Sequence, residues 1–193
     1  RVSCWGSGVQ GQLGSGSLVD ASAPTRVPGL EAVVHIDSGG RDTCALLENG
    51  SVWCWGFGIV PGRTVAPSPV MIPGIAGAVA LGLGAQHACV SDADQTLRCW
   101  GQNTAGQVNG NPDQETPSPV FATSPVRAFS LGGESTCVLS SSLFVCFGRS
   151  DDGQPIALIP LRLPERALNV ELGFHHAFAQ GARGVYAWGS NGH

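Results

Sequence analysis

Short apolar blocks recur along the chain, and each block ends in glycine. Within residues 52–56, Val52 and Cys54 alternate with Trp53 and Trp55, so both faces of a strand here carry apolar side chains. A strand that is apolar on both faces must be covered on both sides. The pattern therefore predicts small sheets, each packed between two neighbouring sheets.

The same block occurs five times, which makes it an internal repeat. Its aromatic anchors are spaced by 50, 45, 47 and 41 residues: Trp5, Trp55, Trp100, Phe147 and Trp188. A glycine also recurs at one phase, five residues before Cys44, Cys89, Cys137 and Phe178, at Gly39, Gly84, Gly132 and Gly173. Repeats of about 40 to 50 residues that contain several short strands are typical of β-propellers.

Glycine-rich and proline-rich stretches separate the anchors. After each Trp-Gly, the chain reads Gly11-Gln12-Leu13-Gly14 in the first repeat and Gly106-Gln107-Val108 in the third, whereas the second repeat departs to Gly58-Ile59-Val60-Pro61-Gly62. Prolines then precede the next unit. Several short strands punctuated by Gly and Pro predict a small antiparallel sheet in each repeat, and the recurrence of Gly-Gln-Leu-Gly indicates a structural role.

Two longer strings, residues 4–14 and 99–108, resemble the repeat of the regulator of chromosome condensation family, as does Gly84-Ala-Gln-His87-Ala-Cys89. The resemblance covers essentially the whole chain, so residues 1–193 are interpreted as one run of these repeats. The family forms seven-bladed propellers. The resemblance therefore implies an all-β propeller with about four blades present, as a fragment of a larger ring.

Six of the seven cysteines form close pairs in sequence. Cys44 and Cys54 are ten residues apart around a three-residue hairpin loop, as are Cys89 and Cys99, and Cys137 and Cys146 are nine apart. Opposed residues of an antiparallel pair lie within disulfide range. We predict three hairpin disulfides, with buried free thiols or a metal site as alternatives; no Cys-x-x-Cys occurs.

The last repeat and the first cysteine support this pairing. The last repeat carries Phe178 and Ala187 at the two cysteine positions, so both cysteines are lost together. By the same phase, the partner of Cys4 would precede Arg1, which leaves Cys4 unpaired. Disulfides persist in oxidising compartments, so we expect a secreted, periplasmic or cell-surface protein. No apolar run approaches the about 18 residues of a membrane span.

Charge argues against nucleic acid as a partner. The net charge is −4 with a pI near 5.6, and all ten basic residues are arginines that never cluster in threes. Such a chain lacks the clustered basic side chains with which proteins bind the phosphates of nucleic acids.

No catalytic residue, cofactor or metal site is predicted. His87 and His176 share the repeat position that holds Asp42 and Ser135 elsewhere, which is typical of a polar turn residue. The pairs Asp151-Asp152 and Asp92/Asp94 do not continue into a calcium loop and are expected to be solvated turns. Asn49-Gly50-Ser51 favours a hairpin turn over a glycosylation site. We therefore expect no enzyme.

We expect instead a binding scaffold for an unknown protein partner, with residues 15–26, 58–68 and 102–118 as its binding face. The resemblance also implies three alternatives: enzyme inhibition, guanine-nucleotide exchange on a small GTPase, and ultraviolet perception by stacked tryptophans. The hairpin cysteines and acidic pI disfavour exchange activity, and core packing accounts for the tryptophans. A sialidase-type hydrolase would need an arginine cluster and an Asp box, which the sequence lacks.

Overall fold

The computed structural model describes residues 1–108, 118–119, 125–141, 143–149, 155–160, 165–174 and 176–189. These residues form seventeen strands in five antiparallel sheets. Within them, no helix has the length and hydropathy needed to cross a membrane. The predicted all-β class is confirmed.

The sheets follow one another along the chain as blades. Blade 1 contains β1 (Ser3–Gly6) and β2 (Ala21–Arg26). Blade 2 contains β3 (Val33–Gly39), β4 (Asp42–Leu47), β5 (Val52–Phe57) and β6 (Val65–Met71). Blade 3 contains β7 (Ala78–Leu83), β8 (His87–Asp92), β9 (Leu97–Gly101) and β10 (Ser118–Pro119). Blade 4 contains β11 (Val126–Leu131), β12 (Ser135–Ser140), β13 (Phe144–Arg149) and β14 (Pro155–Pro160). Blade 5 contains β15 (Ala167–Leu172), β16 (His176–Gly181) and β17 (Val185–Gly189).

The first strands of blades 2 to 5 lie side by side. Contacts run from β3 to β7, from β7 to β11 and from β11 to β15, while the other strands of each blade extend away in chain order. Sheets whose first strands pack in sequence around a common axis form a propeller. The predicted propeller is confirmed, with three four-stranded blades and two smaller ones among the described residues.

The core consists of layers between successive blades. Val52 and Cys54 face blade 3 and pack in one cluster with Trp100, whereas Trp55 faces blade 1 and packs with Val27 and Leu30. Both tryptophans are fully buried. This arrangement confirms that both faces of the repeated strand are covered.

Three disulfides join the second and third strands of blades 2, 3 and 4. The pairs are Cys44–Cys54, Cys89–Cys99 and Cys137–Cys146, at directly opposed positions with Cα atoms 4.1, 4.1 and 4.0 Å apart. In blade 5 the opposed pair is Phe178 and Ala187, as the spacing predicts. Cys4 is free and partly buried, and burial raises the pKa of its thiol.

The recurring glycines explain how closely the blades approach. A Cβ on Gly39 would collide with the carbonyl oxygen of Gly84, one on Gly84 would lie 2.6 Å from the oxygen of Gly132, and one on Gly132 would lie 2.7 Å from that of Gly173. Each obstacle is backbone of the next blade, which cannot rotate aside. These positions therefore require glycine for close approach and not for turn conformation.

Substitution of Gly39 by alanine tests this packing. We expect Gly39→Ala to lower the free energy of unfolding by about 1 to 3 kcal/mol, because blades 2 and 3 must move apart. Gly184→Ala is the matched control, since a Cβ there meets no atom within 4 Å, and it should change stability by less than about 0.5 kcal/mol. Urea denaturation measures both values. Equal stabilities of the two variants would contradict the packing argument.

Candidate functional site

Two kinds of loop emerge on opposite edges of the blades. Because adjacent strands are antiparallel, the loops after the first and third strands share one edge, and those after the second and fourth strands share the other. We call the first edge the long-loop rim; it carries residues 7–20, 58–64 and 102–108. We call the second edge the hairpin rim; it carries the turns at residues 48–51 and 93–96.

The predicted binding segments lie on the long-loop rim, but their boundaries need correction. Residues 21–26 form β2 and residues 65–68 belong to β6, so these parts are strands and not loops. Both are the outer strand of their blade, where a proline such as Pro24 or Pro67 is tolerated because no further strand needs its missing N–H. Residues 109–117 lie outside the described residues, and Ser118 begins β10.

The Gly-Gln motif shapes these loops. Gln12 Oε1 accepts a hydrogen bond from the Gln10 N–H at 2.9 Å, and Gln107 Oε1 accepts one from the Ala105 N–H at 2.9 Å. The residues that follow, Leu13 and Val108, are buried. The motif therefore closes the loop on itself and inserts one apolar side chain into the core.

The backbone carbonyl at the centre of each loop is bound by the next blade. Gln12 O accepts hydrogen bonds from Trp55 Nε1 at 2.9 Å and from Thr43 Oγ1 at 3.1 Å. Ile59 O, at the same repeat position, accepts one from Trp100 Nε1 at 3.1 Å. The long loops are thus fixed to the following blade.

Blade 4 satisfies the equivalent carbonyl in a different way. Phe147 occupies the position of the tryptophans and has no N–H to donate. Thr136 Oγ1 donates instead to Gln107 O at 2.8 Å, and Thr136 is fully buried. Thr43 makes the same hydrogen bond beside Trp55 in blade 2, so blade 4 keeps the threonine donor and lacks the tryptophan donor.

The shared polar position is not a turn, which corrects the sequence interpretation. Asp42, His87, Ser135 and His176 are the first residues of β4, β8, β12 and β16. The side chain at this position can reach the next blade because the strand starts at the blade interface: His87 Nε2 lies 2.8 Å from Thr136 Oγ1. Since the Thr136 hydroxyl hydrogen is donated to Gln107 O, His87 Nε2–H is the donor.

His87 and Asp42 are buried titratable groups with opposite shifts. Burial lowers the pKa of His87 to about 3, and its Nδ1 has no hydrogen-bond partner. Burial raises the pKa of Asp42 to about 7; its Oδ1 accepts a hydrogen bond from the Ile59 N–H at 3.4 Å and its Oδ2 has no partner. Both lie closed inside blades, out of reach of a substrate.

Asp92, Asp94 and Asn49, which stand out in the sequence, have structural roles. Asp94 Oδ1 accepts a hydrogen bond from the Thr96 N–H within a turn, but Asp92 is buried and pairs with Arg98 Nε at 2.8 Å instead of being solvated. Asn49 Oδ1 accepts hydrogen bonds from the N–H and hydroxyl of Ser51, which forms the predicted turn. Asp151 and Asp152 lie outside the described residues.

Several clefts among the described residues are open to solvent, and two of them lie between blades. The axial cleft, of about 610 Å³, lies along the first strands and includes His35, Phe129 and Glu171. Its polar groups link blades: Asp37 Oδ2 accepts a hydrogen bond from the Leu83 N–H, and Ser130 Oγ accepts one from the Leu172 N–H. Because Asp37 and Ser130 already accept hydrogen bonds from neighbouring blades, these oxygens are engaged in blade packing.

The rim cleft, of about 440 Å³, lies between blades 2 and 3 on the long-loop rim. Arg63, Thr64, Gln86 and Gln102 line it beside backbone of both long loops. Arg63 is exposed. Within the described ranges, no three His, Cys, Asp or Glu side chains converge on a metal position. The rim cleft offers hydrogen-bonding groups and a positive charge, which suits recognition of another molecule.

Comparison with known proteins identifies the repeat. Two models of the regulator of chromosome condensation (RCC1) repeat match residues 1–46 and 78–107. The Arabidopsis thaliana "RCC1 domain-containing protein RUG3, mitochondrial" is 41% identical over 58 residues, which cover 29% of this chain and 13% of that protein.

Solved structures share the fold over most of the chain. Human WBSCR16 superposes with a TM-score of 0.81 at 19% identity, covering 97% of this chain and 56% of that one. Yeast RCC1 (Prp20), in a structure bound to Kap60, superposes with a TM-score of 0.76 at 20% identity, covering 92% and 48%. The chain thus spans about half the length of these two structures and a small part of RUG3.

Proposed function

The chain belongs to the RCC1-repeat family of β-propellers, and from that premise we propose that it is a non-catalytic scaffold that binds another protein through its long-loop rim. The observation that carries the proposal is the loop carbonyl bound by the next blade. It holds loops of different sequence in fixed positions along one edge. Rigid frameworks that display variable loops are a common basis of protein recognition.

The burial of the titratable groups with the largest pKa shifts supports a non-catalytic role. His87 and Asp42, whose pKa values are displaced most, are buried inside blades and cannot reach a bound molecule. The exposed groups of the rim cleft, such as Arg63 and Gln102, suit hydrogen bonding to a partner surface. A solved structure of a fold relative, Prp20p from Saccharomyces cerevisiae, concerns its binding to Gsp1p and histones, so protein binding has a precedent within this fold.

Photo-crosslinking tests the rim. A photoreactive amino acid is placed at Arg63 or Gln102 on the long-loop rim, or at the exposed Thr25 in the outer strand β2 as the control, and the folded chain is exposed to proteins of its own compartment. We expect one protein to be captured repeatedly from the first two positions and not from Thr25. Capture from Thr25 alone, or none from the rim, would refute the proposal.

We further propose that the protein works in an oxidising compartment, as a secreted, periplasmic or cell-surface protein. Three disulfides among the described residues support this. Alkylation of the protein after denaturation without a reductant, followed by mass spectrometry, is expected to label Cys4 alone, because the other six cysteines are joined in disulfides. Labelling of all seven cysteines in protein taken from cells would instead favour a reducing compartment and the alternative role as a regulator of a small GTPase.

Each disulfide should also contribute to stability. Replacing Cys44 and Cys54 together by alanine opens a loop of about ten residues, and we expect the free energy of unfolding to fall by about 2 to 3 kcal/mol. Denaturation of the double variant and the parent protein under non-reducing conditions gives the difference. An unchanged stability would mean that packing between blades, and not the bridge, holds this hairpin.

A further inference from the structure

Each of the four first strands carries a β-bulge at the same place. Pairing of the first with the second strand skips one residue near the start of each first strand, and the skipped residues are Val34, Val79, Arg127 and Leu168. All four lie five residues before the recurring glycine of their own blade, at Gly39, Gly84, Gly132 and Gly173. We call these four residues the bulge row.

The bulge row is exposed and largely apolar. Val34, Val79 and Leu168 expose 62, 61 and 57% of their surface, and Arg127 is exposed as well. Isolated exposed apolar residues are ordinary on protein surfaces. A row is different, because strands β3, β7, β11 and β15 pack side by side and so place one such position per blade, in series, near the hairpin rim.

Neighbouring blades hold the row in place. The Ala78 N–H, directly before Val79, donates to Gly50 O in the hairpin turn of blade 2 at 3.1 Å. The Val126 N–H, directly before Arg127, donates to Gln95 O in the hairpin turn of blade 3 at 3.1 Å. Repeated bulges of this kind re-aim a side chain, and here they direct one side chain per blade towards solvent on a fixed backbone.

We propose that the bulge row is a docking surface for a segment of another polypeptide that presents aliphatic side chains beside an aspartate or glutamate. The three aliphatic members favour apolar partners. Arg127 makes no ion pair among the described residues, and covering an unpaired guanidinium with an apolar surface is costly, so a carboxylate must accompany the apolar groups.

The spacing of the blades constrains the segment. The first strands of neighbouring blades come close enough that some of their Cα atoms lie within 8 Å of one another, and an extended chain advances about 3.3 Å per residue. The carboxylate and an aliphatic side chain that bind neighbouring blades should therefore be separated by about two residues. This surface is distinct from the long-loop rim, so either binding site could exist without the other.

Peptide selection tests the proposal. The full chain is immobilised and screened with a phage library of random twelve-residue peptides, and the affinity of one synthetic selected peptide is measured by fluorescence anisotropy. We expect selected peptides to share an acidic residue about two positions from an aliphatic one. Val79→Ser and Arg127→Glu should each weaken binding about tenfold, whereas Gln102→Ala on the opposite rim should leave it unchanged.

A charge exchange separates recognition from damage to the fold. The selected peptide with its acidic residue replaced by lysine should bind the Arg127→Glu variant better than the parent protein, and Val79→Ser should keep the parent's unfolding midpoint because the side chain is exposed. Selection of no common pattern, or binding insensitive to both variants, overturns the proposal. Sedimentation equilibrium showing that the parent self-associates and Val79→Ser does not would assign the row to a second copy of this chain and overturn it as well.

Discussion

Thr136→Ala is expected to lower the free energy of unfolding by about 4 kcal/mol. The fully buried hydroxyl donates to Gln107 O and accepts from His87 Nε2–H, both at 2.8 Å. Its removal leaves two buried polar groups without partners, and each costs about 1 to 3 kcal/mol. Chemical denaturation at neutral pH measures the loss.

The chain contains a matched control for this substitution. Thr43 is the equivalent residue of blade 2 and donates to Gln12 O at 3.1 Å, but Trp55 Nε1 donates to the same oxygen. Thr43→Ala removes the same atoms yet leaves that carbonyl satisfied, so we expect a loss of about 1 kcal/mol. Losses of equal size in the two variants would show that the hydrogen-bond network of blade 4 adds nothing beyond packing.

Asp42→Asn is expected to stabilise the protein at pH 8 by up to about 4 kcal/mol. The pKa of Asp42 is about 7 in the folded state against a usual value of 3.8, so the folded state binds more protons between these values. Stability that depends on Asp42 therefore falls as the pH rises from about 4 to about 7. Asparagine keeps the shape of the side chain and removes this dependence.

His87 produces the opposite slope, which gives the experiment a second readout. The pKa of His87 is about 3 in the folded state against a usual 6.5, so the unfolded state binds more protons between these values and stability rises with pH over that window. In the parent protein the two slopes oppose each other between about pH 4 and 6.5. Thermal unfolding of Asp42→Asn should show the rising slope alone, and parallel profiles of variant and parent would contradict the assignment.

The features that could be predicted from the sequence are local or repetitive. Cys44 and Cys54 are ten residues apart, so a single hairpin determines whether they meet. The alternation of Val52, Trp53, Cys54 and Trp55 shows directly that both faces need cover. The sequence also shows that a glycine recurs at one position of the repeat. It does not show why, since the reason is the close approach of a backbone carbonyl from the next blade.

The features that sequence reasoning missed depend on contacts between blades. His87 and Thr136 are 49 residues apart, and Thr136 and Gln107 are 29 apart, with nothing local to link them. The sequence therefore predicts a turn at the repeat position of His87, although this residue begins a strand. The bulges were missed because Val34 and Val79 look like ordinary strand residues, and a skipped pairing leaves no mark in composition.

The sequence by itself determined an all-β chain of RCC1-type repeats, the hairpins that carry the cysteine pairs and the need for blades to cover one another, because strand pattern and short spacings act within one unit. Only the tertiary structure decided which carbonyls the next blade binds, which titratable groups are closed off, and which side chains the bulges expose near the hairpin rim. Those outcomes depend on the distance between blades, and that distance is set by packing of residues 40 or more positions apart, as where Trp100 binds Ile59 O.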